Sequence, residues 1–195
     1  MSAEELVLTL KSPADWGKWL SKHRETVSAV WLVIGKKGAP KSITYAEALD
    51  GALAWGWIDS QKRALDDKAF LQRFGPRKAK SPWSKINCAK VEALIAAGRM
   101  QPSGLAEVER AKKDGRWDRA YSGARTSELP AELAAALAKN AKARAFFETL
   151  DSANRYAILF RVQTAVKPET RAARIEKFVS MCARHETLHP VARKK

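Results

Sequence analysis

An α+β fold is predicted: a small antiparallel or mixed sheet with covering helices, followed by an all-helical C-terminal module. Three observations predict it. Apolar runs of strand length and capped helices share residues 5–100, helical patterns alone fill residues 101–195, and strand–helix alternation stops after the second helix, which disfavours parallel winding. The expected organisation is residues 1–100 as an α+β domain with a basic loop and 101–195 as a helical module, the boundary falling near residues 99–103.

Residues 6–10, Leu-Val-Leu-Thr-Leu, read as a first strand. Ser12 then caps a helix running to about Arg24, with Pro13 at its first position and Asp15 three residues after the cap. Residues 30–34 are a continuous apolar strand, and a basic turn occupies 35–41. Thr44 and Glu47 form a capping box for a second helix, whose apolar positions Ala48, Leu49, Ala52 and Leu53 lead to a turn near Gly56. Residues 57–63 and 69–74 read as a hairpin around Asp66 and Asp67. Ser81 or Ser84 opens a helix to about Ala97, and Gly98 ends it.

Beyond that point the pattern is helical. Residues 102–113 form one helix ending near Gly115, and 130–138, 141–150, 152–165 and 168–184 form four more, begun by Pro130, Asn140, Asp151 and Lys167-Pro168. In the last, Ile175, Phe178, Val179 and Cys182 make one apolar stripe, which reads as core. Residues 122–129 read as a mobile loop.

The chain of 195 residues has a composition of 46% hydrophobic and 29% charged residues, which excludes disorder over most of its length. Its formal charge is +15, spread evenly: 17 basic against 10 acidic residues in 1–100, and 19 against 11 in 101–195. Such a balance suits nucleic acid, phosphorylated ligands or an anionic membrane surface. The acidic start and short apolar run at 6–10 do not form a secretory signal, and no run reaches membrane-spanning length, so a soluble, cytoplasmic protein is expected. Cys88 and Cys182, far apart in sequence, read as reduced, buried thiols.

The most informative segment is 68–91, with seven cations (Lys68, Arg73, Arg77, Lys78, Lys80, Lys85, Lys90) and no acid across 24 residues. At its centre, Gly75-Pro-Arg-Lys-Ala-Lys-Ser-Pro-Trp-Ser84 reads as an anion cradle. Arg77 can grip an oxyanion in two parallel hydrogen bonds, Lys78 and Lys80 add mobile charge, and Ser81 or Ser84 opens a helix whose free N–H groups favour an anion. The competing reading is a solvated loop in which Arg77 pairs with Asp59 or a sheet carboxylate and Trp83 staples the loop to the core. Trp55, Trp57 and Trp83 flank the segment as single-stranded nucleic acid requires, although indoles are more often buried bulk, as expected for Trp16, Trp19, Trp31 and Trp117. The candidate ligand-binding set is therefore Trp57, Asp59, Arg73, Arg77, Lys78, Lys80, Ser81, Trp83, Ser84, Lys85 and Asn87.

Signs of catalysis are few. Asp59 has no partner acid, His or metal ligand nearby in sequence, and reads as an ion-pair partner of Arg77 or Arg73. His185-Glu186-Thr187-Leu188-His189 matches a zinc-protease spacing but sits near the chain end against Pro190, with no third His downstream, and is rejected as a metal site. Phosphate-cradling Gly-Lys-Ser/Thr loops, nucleophile elbows, Cys-x-x-Cys pairs and dinucleotide fingerprints are absent from the sequence. No catalytic residue, metal or cofactor is assigned.

Several separated strings carry a resemblance. Ala52-Leu-Ala-Trp-Gly-Trp-Ile-Asp59, then residues 74–87, Gly98-Arg-Met-Gln-Pro-Ser-Gly104, Asp114-Gly-Arg-Trp-Asp118, and the helical end with Asn140, Arg144, Phe146, Phe147, Asn154, Arg155, Tyr156 and 170–174 occur in order. Together they resemble the bacterial YdeI/OmpD-associated, or bacteriocin-protection, proteins over nearly the whole chain. The resemblance implies envelope association or protection against bacteriocins and no particular reaction. Gly75 stands where that family usually shows Thr, and Ala54 where a Cys is common, which argues against a thiol nucleophile there.

The leading expectation is a non-enzymatic cytosolic binding protein whose loop at 74–87, flanked by Trp57 and Asp59, holds an anionic ligand, nucleic acid being the most concrete candidate. The alternative is an envelope-stress or bacteriocin-protection factor acting through a protein partner or an anionic membrane surface. An enzyme ranks third.

Overall fold

The computed structural model describes residues 6–36, 38 and 42–190. The acidic start and most of the basic turn at 35–41 lie outside the described residues. The chain divides into two compact units, one of Met1–Trp83 with Asn87–Asp118, the other of Ser84–Ile86 with Arg119–Lys195.

The first unit is built on a four-stranded mixed sheet in the order β1-β2-β4-β3, comprising β1 (Val7–Leu8), β2 (Val30–Gly35), β3 (Trp57–Ala64) and β4 (Ala69–Pro76). β1 runs parallel to β2, while β2 and β3 each pair antiparallel with β4. Two helices connect the strands, α1 (Pro13–His23) between β1 and β2 and α2 (Tyr45–Ala54) between β2 and β3.

Local hydrogen bonds fix where these helices begin. Ser12 Oγ accepts from the Asp15 N–H at 3.2 Å, and Thr44 and Glu47 exchange side-chain and backbone bonds in a complete capping box. Each such cap contributes about 1 kcal/mol.

α1 and α2 meet over an aromatic core. Trp16 lies 5.8 Å from Phe74 and 6.2 Å from Trp57, and its indole N–H donates to the Ala48 carbonyl at 3.0 Å. Gly51 permits that approach, since a Cβ there would stand 2.6 Å from Trp16 Cδ1.

The hairpin carries an irregularity. Its register shifts between Asp59 and Lys62, and the buried Gln72 amide reaches across to the Gln61 carbonyl at 3.1 Å to hold the bulge.

α3 (Lys85–Ala96) buries Cys88, Val91 and Leu94 at three-residue spacing, and α4 (Pro102–Lys113) follows a turn with Gly98 at φ 63°. By compactness α4 groups with the first unit, which takes in residues up to Asp118. The reason is intimate packing on α2. The Gln101 N–H donates to the Ala54 carbonyl at 3.0 Å, Ser103 Oγ donates to the Trp55 carbonyl at 3.0 Å, and a Cβ on Gly104 would stand 2.2 Å from the Ala54 oxygen.

The second unit packs α5 (Ala131–Ala138), α6 (Ala141–Thr149), α7 (Ser152–Gln163) and α8 (Pro168–Ala183) around Leu133, Leu137, Phe147, Ile158, Val162, Ile175, Phe178 and Cys182. Asn140 and Asp151 cap α6 and α7 through bonds to the N–H groups of Ala143 and Asn154. Asn154, 1% exposed, also grips the backbone of His189, accepting from its N–H at 2.8 Å and donating to its carbonyl at 3.2 Å. The loop at 122–130 is irregular but tethered, with Ser122 O accepting from Tyr156 and Ser127 bonded to Gln163. Among the described residues no helix is long and apolar enough to cross a membrane.

Candidate functional site

The strand β4 ends at Pro76, and the chain then turns through residues 77–83 before α3. The turn closes locally: the Ser81 N–H donates to the Lys78 carbonyl at 2.9 Å, and Ser81 Oγ accepts from the Lys78 N–H at 3.1 Å. Ser81 thus shapes the turn, and the residue preceding α3 is Ser84.

Two guanidinium groups hold this turn from beneath. Arg77, 5% exposed, donates through Nη2 to the Pro82 carbonyl at 2.8 Å, and its backbone N–H donates to Gly56 at 3.1 Å. Arg116 donates through Nη1 to the Ser81 carbonyl at 3.0 Å while its Nε sits 2.8 Å from both oxygens of Asp114. Trp83, 1% exposed, has the Arg77 guanidinium carbon 3.6 Å from its ring centre and the Trp117 ring at 4.9 Å. A desolvated cation over an indole face gains about 2 kcal/mol. The Arg77 charge is therefore partly balanced by a π face and a carbonyl dipole.

The same device recurs elsewhere in the first unit. Lys62 lies 4.0 Å from the Phe70 ring centre, Arg63 4.3 Å from Trp31 and Arg24 5.0 Å from Trp55. A chain with many more cations than acids uses aromatic faces as counter-charges.

The candidate residues fall into separate places. Arg77, Lys78, Lys80, Ser81 and Trp83 share one loop, where Lys78 and Lys80 stand exposed. Trp57 is 2% exposed and packed edge-on by Trp16 and Trp19, so neither it nor Trp83 presents a face for a base to stack on. Asp59 accepts from the Tyr45 hydroxyl at 2.7 Å and faces Phe74 in register. Arg73 sits half-buried on β4 opposite Trp31. Ser84 and Lys85 group with the second unit, where Ser84 bridges Tyr121 and the Lys85 N–H donates to the Tyr121 carbonyl at 2.9 Å. Asn87 is half-buried in the first turn of α3. Of the other two cations in the acid-free segment, Lys68 is exposed in the hairpin turn and Lys90 pairs with Asp50 at 2.7 Å.

Burial, aided by the Glu92 charge and opposed by that of Arg77, pushes Cys88 up to about 11, and burial also raises Cys182. The His185–His189 spacing does not lie on a helix, because α8 ends at Ala183 and His185 takes a φ of 60°. Arg116 and Trp117, which brace the loop, were absent from the predicted set. Their signal was Asp114-Gly115, a turn that returns the chain with Gly115 at φ 72°.

The family comparisons divide the chain. Residues 126–185 match the model described as Bacteriocin-protection, YdeI or OmpD-Associated, and residues 8–107 match the model described as Domain of unknown function (DUF8412). The resemblance expected over nearly the whole chain is thus shown for the helical end, while the strings at 52–59 and 74–87 fall in the second match. No curated protein and no solved structure matches the chain. With half of its length covered by the one model and α5 to α8 by the other, the chain belongs to the DUF8412 family and carries a C-terminal module of the bacteriocin-protection, YdeI or OmpD-associated family.

Proposed function

We propose that this chain is a non-enzymatic cytoplasmic binding protein that holds phosphate-bearing polyanions on the loop at 77–83, by charge and without base stacking. The observation that carries the reading is the pair of exposed lysines, Lys78 and Lys80, on a turn made rigid by Arg77 and Arg116. A fixed turn loses little entropy on binding, and charges at its tip meet a phosphate without rearrangement. The enclosed Trp57 and Trp83 favour backbone over base recognition, and two free, buried thiols fit a reducing compartment.

Fluorescence anisotropy with labelled single- and double-stranded oligonucleotides across a salt series tests this. Affinity is expected to fall with a log–log slope of about 0.7 (single strand) to 0.9 (duplex) per phosphate neutralised. A salt-insensitive affinity overturns it.

A second reading, a bacteriocin-protection factor acting at an anionic membrane surface or through a protein partner, is favoured by the match over residues 126–185. Each surface lysine or arginine contributes about 1 kcal/mol to attraction by anionic lipid. Co-sedimentation with phosphatidylglycerol vesicles in the absence of oligonucleotide binding supports this second reading over the first.

A further inference from the structure

Residues 152–168 form a second acid-free stretch, with Arg155, Arg161 and Lys167 but no Asp or Glu. It supplies α7, where two arginines of the second unit come together. Arg161, in the last turn, folds back so that Nη1 donates to the Ala157 carbonyl at 2.9 Å, and Arg174 of α8 donates through Nη1 to the carbonyl of Arg161 itself. Carbonyls four residues apart on one helix stand about 6 Å from each other along the same side, so both guanidinium groups are anchored within a single helical turn.

This pair has no counter-ion. Arg171 takes Glu132 at 3.1 Å, whereas among the described residues neither Arg161 nor Arg174 has a carboxylate within ion-pair distance. At about 100° per residue, Glu169 and Glu176 lie roughly 140–160° round α8 from Arg174, while Thr170 and Lys177 share its flank. Each guanidinium uses one nitrogen on a carbonyl and keeps further donors, and those of these half-buried side chains are not sealed from water. Capping α7 explains the bond made by Arg174, since cations suit a helix C-terminus. It does not explain a second cation set one turn away, where the two repel.

We propose that Arg161 and Arg174 form an oxyanion site on the helical module, separate from the loop at 77–83, and that its ligand is a single phosphate group, free or as a monoester. One phosphate accepts charge-assisted bonds of about 2.8 Å from both guanidinium groups at this spacing. Its charge of nearly two matches two cations, as the single charge of a carboxylate does not. The carbonyl bonds stay in place and hold the remaining donors in position. This site stands or falls independently of the reading of the loop.

The arginine Nε–Hε signals of the full chain are followed by NMR while inorganic phosphate replaces sodium chloride at constant ionic strength. Those of Arg161 and Arg174 are expected to move together along one saturable curve, with acetate binding about tenfold more weakly. Signals that drift without saturating, move at different concentrations or answer acetate equally overturn the proposal, and are the result if the pair only caps α7.

Arg161→Gln removes one arm and leaves the backbone carbonyl that Arg174 caps. It is expected to weaken phosphate binding about tenfold, the loss of one hydrogen bond to a charged group. Unchanged affinity in the folded Arg161→Gln protein overturns the proposal, and so does loss of the Arg161 and Arg174 shifts on Lys78→Ala/Lys80→Ala. Retention of those shifts in the lysine variant, whatever happens to oligonucleotide binding, supports a site distinct from the loop. Competition by glycerol 3-phosphate and by a nucleoside 5′-monophosphate identifies the source. The one that displaces inorganic phosphate at lower concentration names the carrier, and displacement by neither assigns the site to free phosphate.

Discussion

Gly104→Ala is the sharpest structural test, because one methyl group is asked to occupy filled space. The added Cβ would stand 2.2 Å from the Ala54 oxygen, 2.8 Å from the Ala54 carbonyl carbon and 2.9 Å from Met100 Cε. Met100 can swing aside, but the Ala54 carbonyl cannot, since it ends α2 and accepts the Gln101 N–H at 3.0 Å. α4 must therefore back away from α2. Overpacking of this kind costs about 3 kcal/mol when backbone is the obstacle, and the better helix propensity of Ala returns about 1 kcal/mol. A net loss of about 2 kcal/mol is expected from urea denaturation followed by tryptophan fluorescence. Gly17→Ala is the control, since a Cβ there meets nothing within 4 Å in the middle of α1. That substitution is expected to stabilise by about 0.5–1 kcal/mol. If Gly104→Ala proves as stable as the parent, the packing of α4 on α2, and with it the extent of the first unit, is wrong.

Three other outcomes are expected. Lys78→Glu/Lys80→Glu lowers the salt slope of oligonucleotide binding by about 1.4 for a single strand, two phosphates' worth, without changing the urea midpoint by more than a few tenths of a molar. Asn154→Ala leaves the His189 N–H and carbonyl without their partner and destabilises by about 1–3 kcal/mol, seen as a lower urea midpoint together with faster exchange of the His189 amide. Cys88, whose folded-state value is raised to about 11 from an ordinary value near 9, keeps its proton where the unfolded thiol loses one. The unfolded chain then binds fewer protons between those values, so stability declines as pH rises from about 9 to 11, and a Cys88→Ser variant lacks that part of the decline in urea midpoints measured across the range.

The helix starts were legible because their causes are local. Ser12 with Asp15, Thr44 with Glu47, Asn140 and Asp151 each bond within three residues, so the spacing alone places the cap. The hairpin of β3 and β4 was legible for the same reason. What distant partners decide was not. Nothing in residues 6–10 says that β1 pairs parallel with β2, and Gln101-Pro102 announces a helix without saying which body it packs on. The clue to the latter was Gly104, a notch whose purpose shows only beside Ala54. In the loop, charge marked the segment but not the direction of each side chain. Lys78 and Lys80 point to water because a short turn has no interior to offer them, whereas Arg77 turns inward because Trp83 and the Pro82 carbonyl together solvate it.

The bulge in β3 has a bearing on how this protein behaves at high concentration. An outermost strand of eight residues would ordinarily offer a ladder of amides to any extended chain that drifts past. Breaking the register after Asp59, tying Gln61 inward and setting Lys62 and Arg63 immediately beyond interrupts that ladder and gives it a repelling charge. Straightening this strand, for instance by deleting one residue of the bulge, turns a guarded border into a template for aggregation.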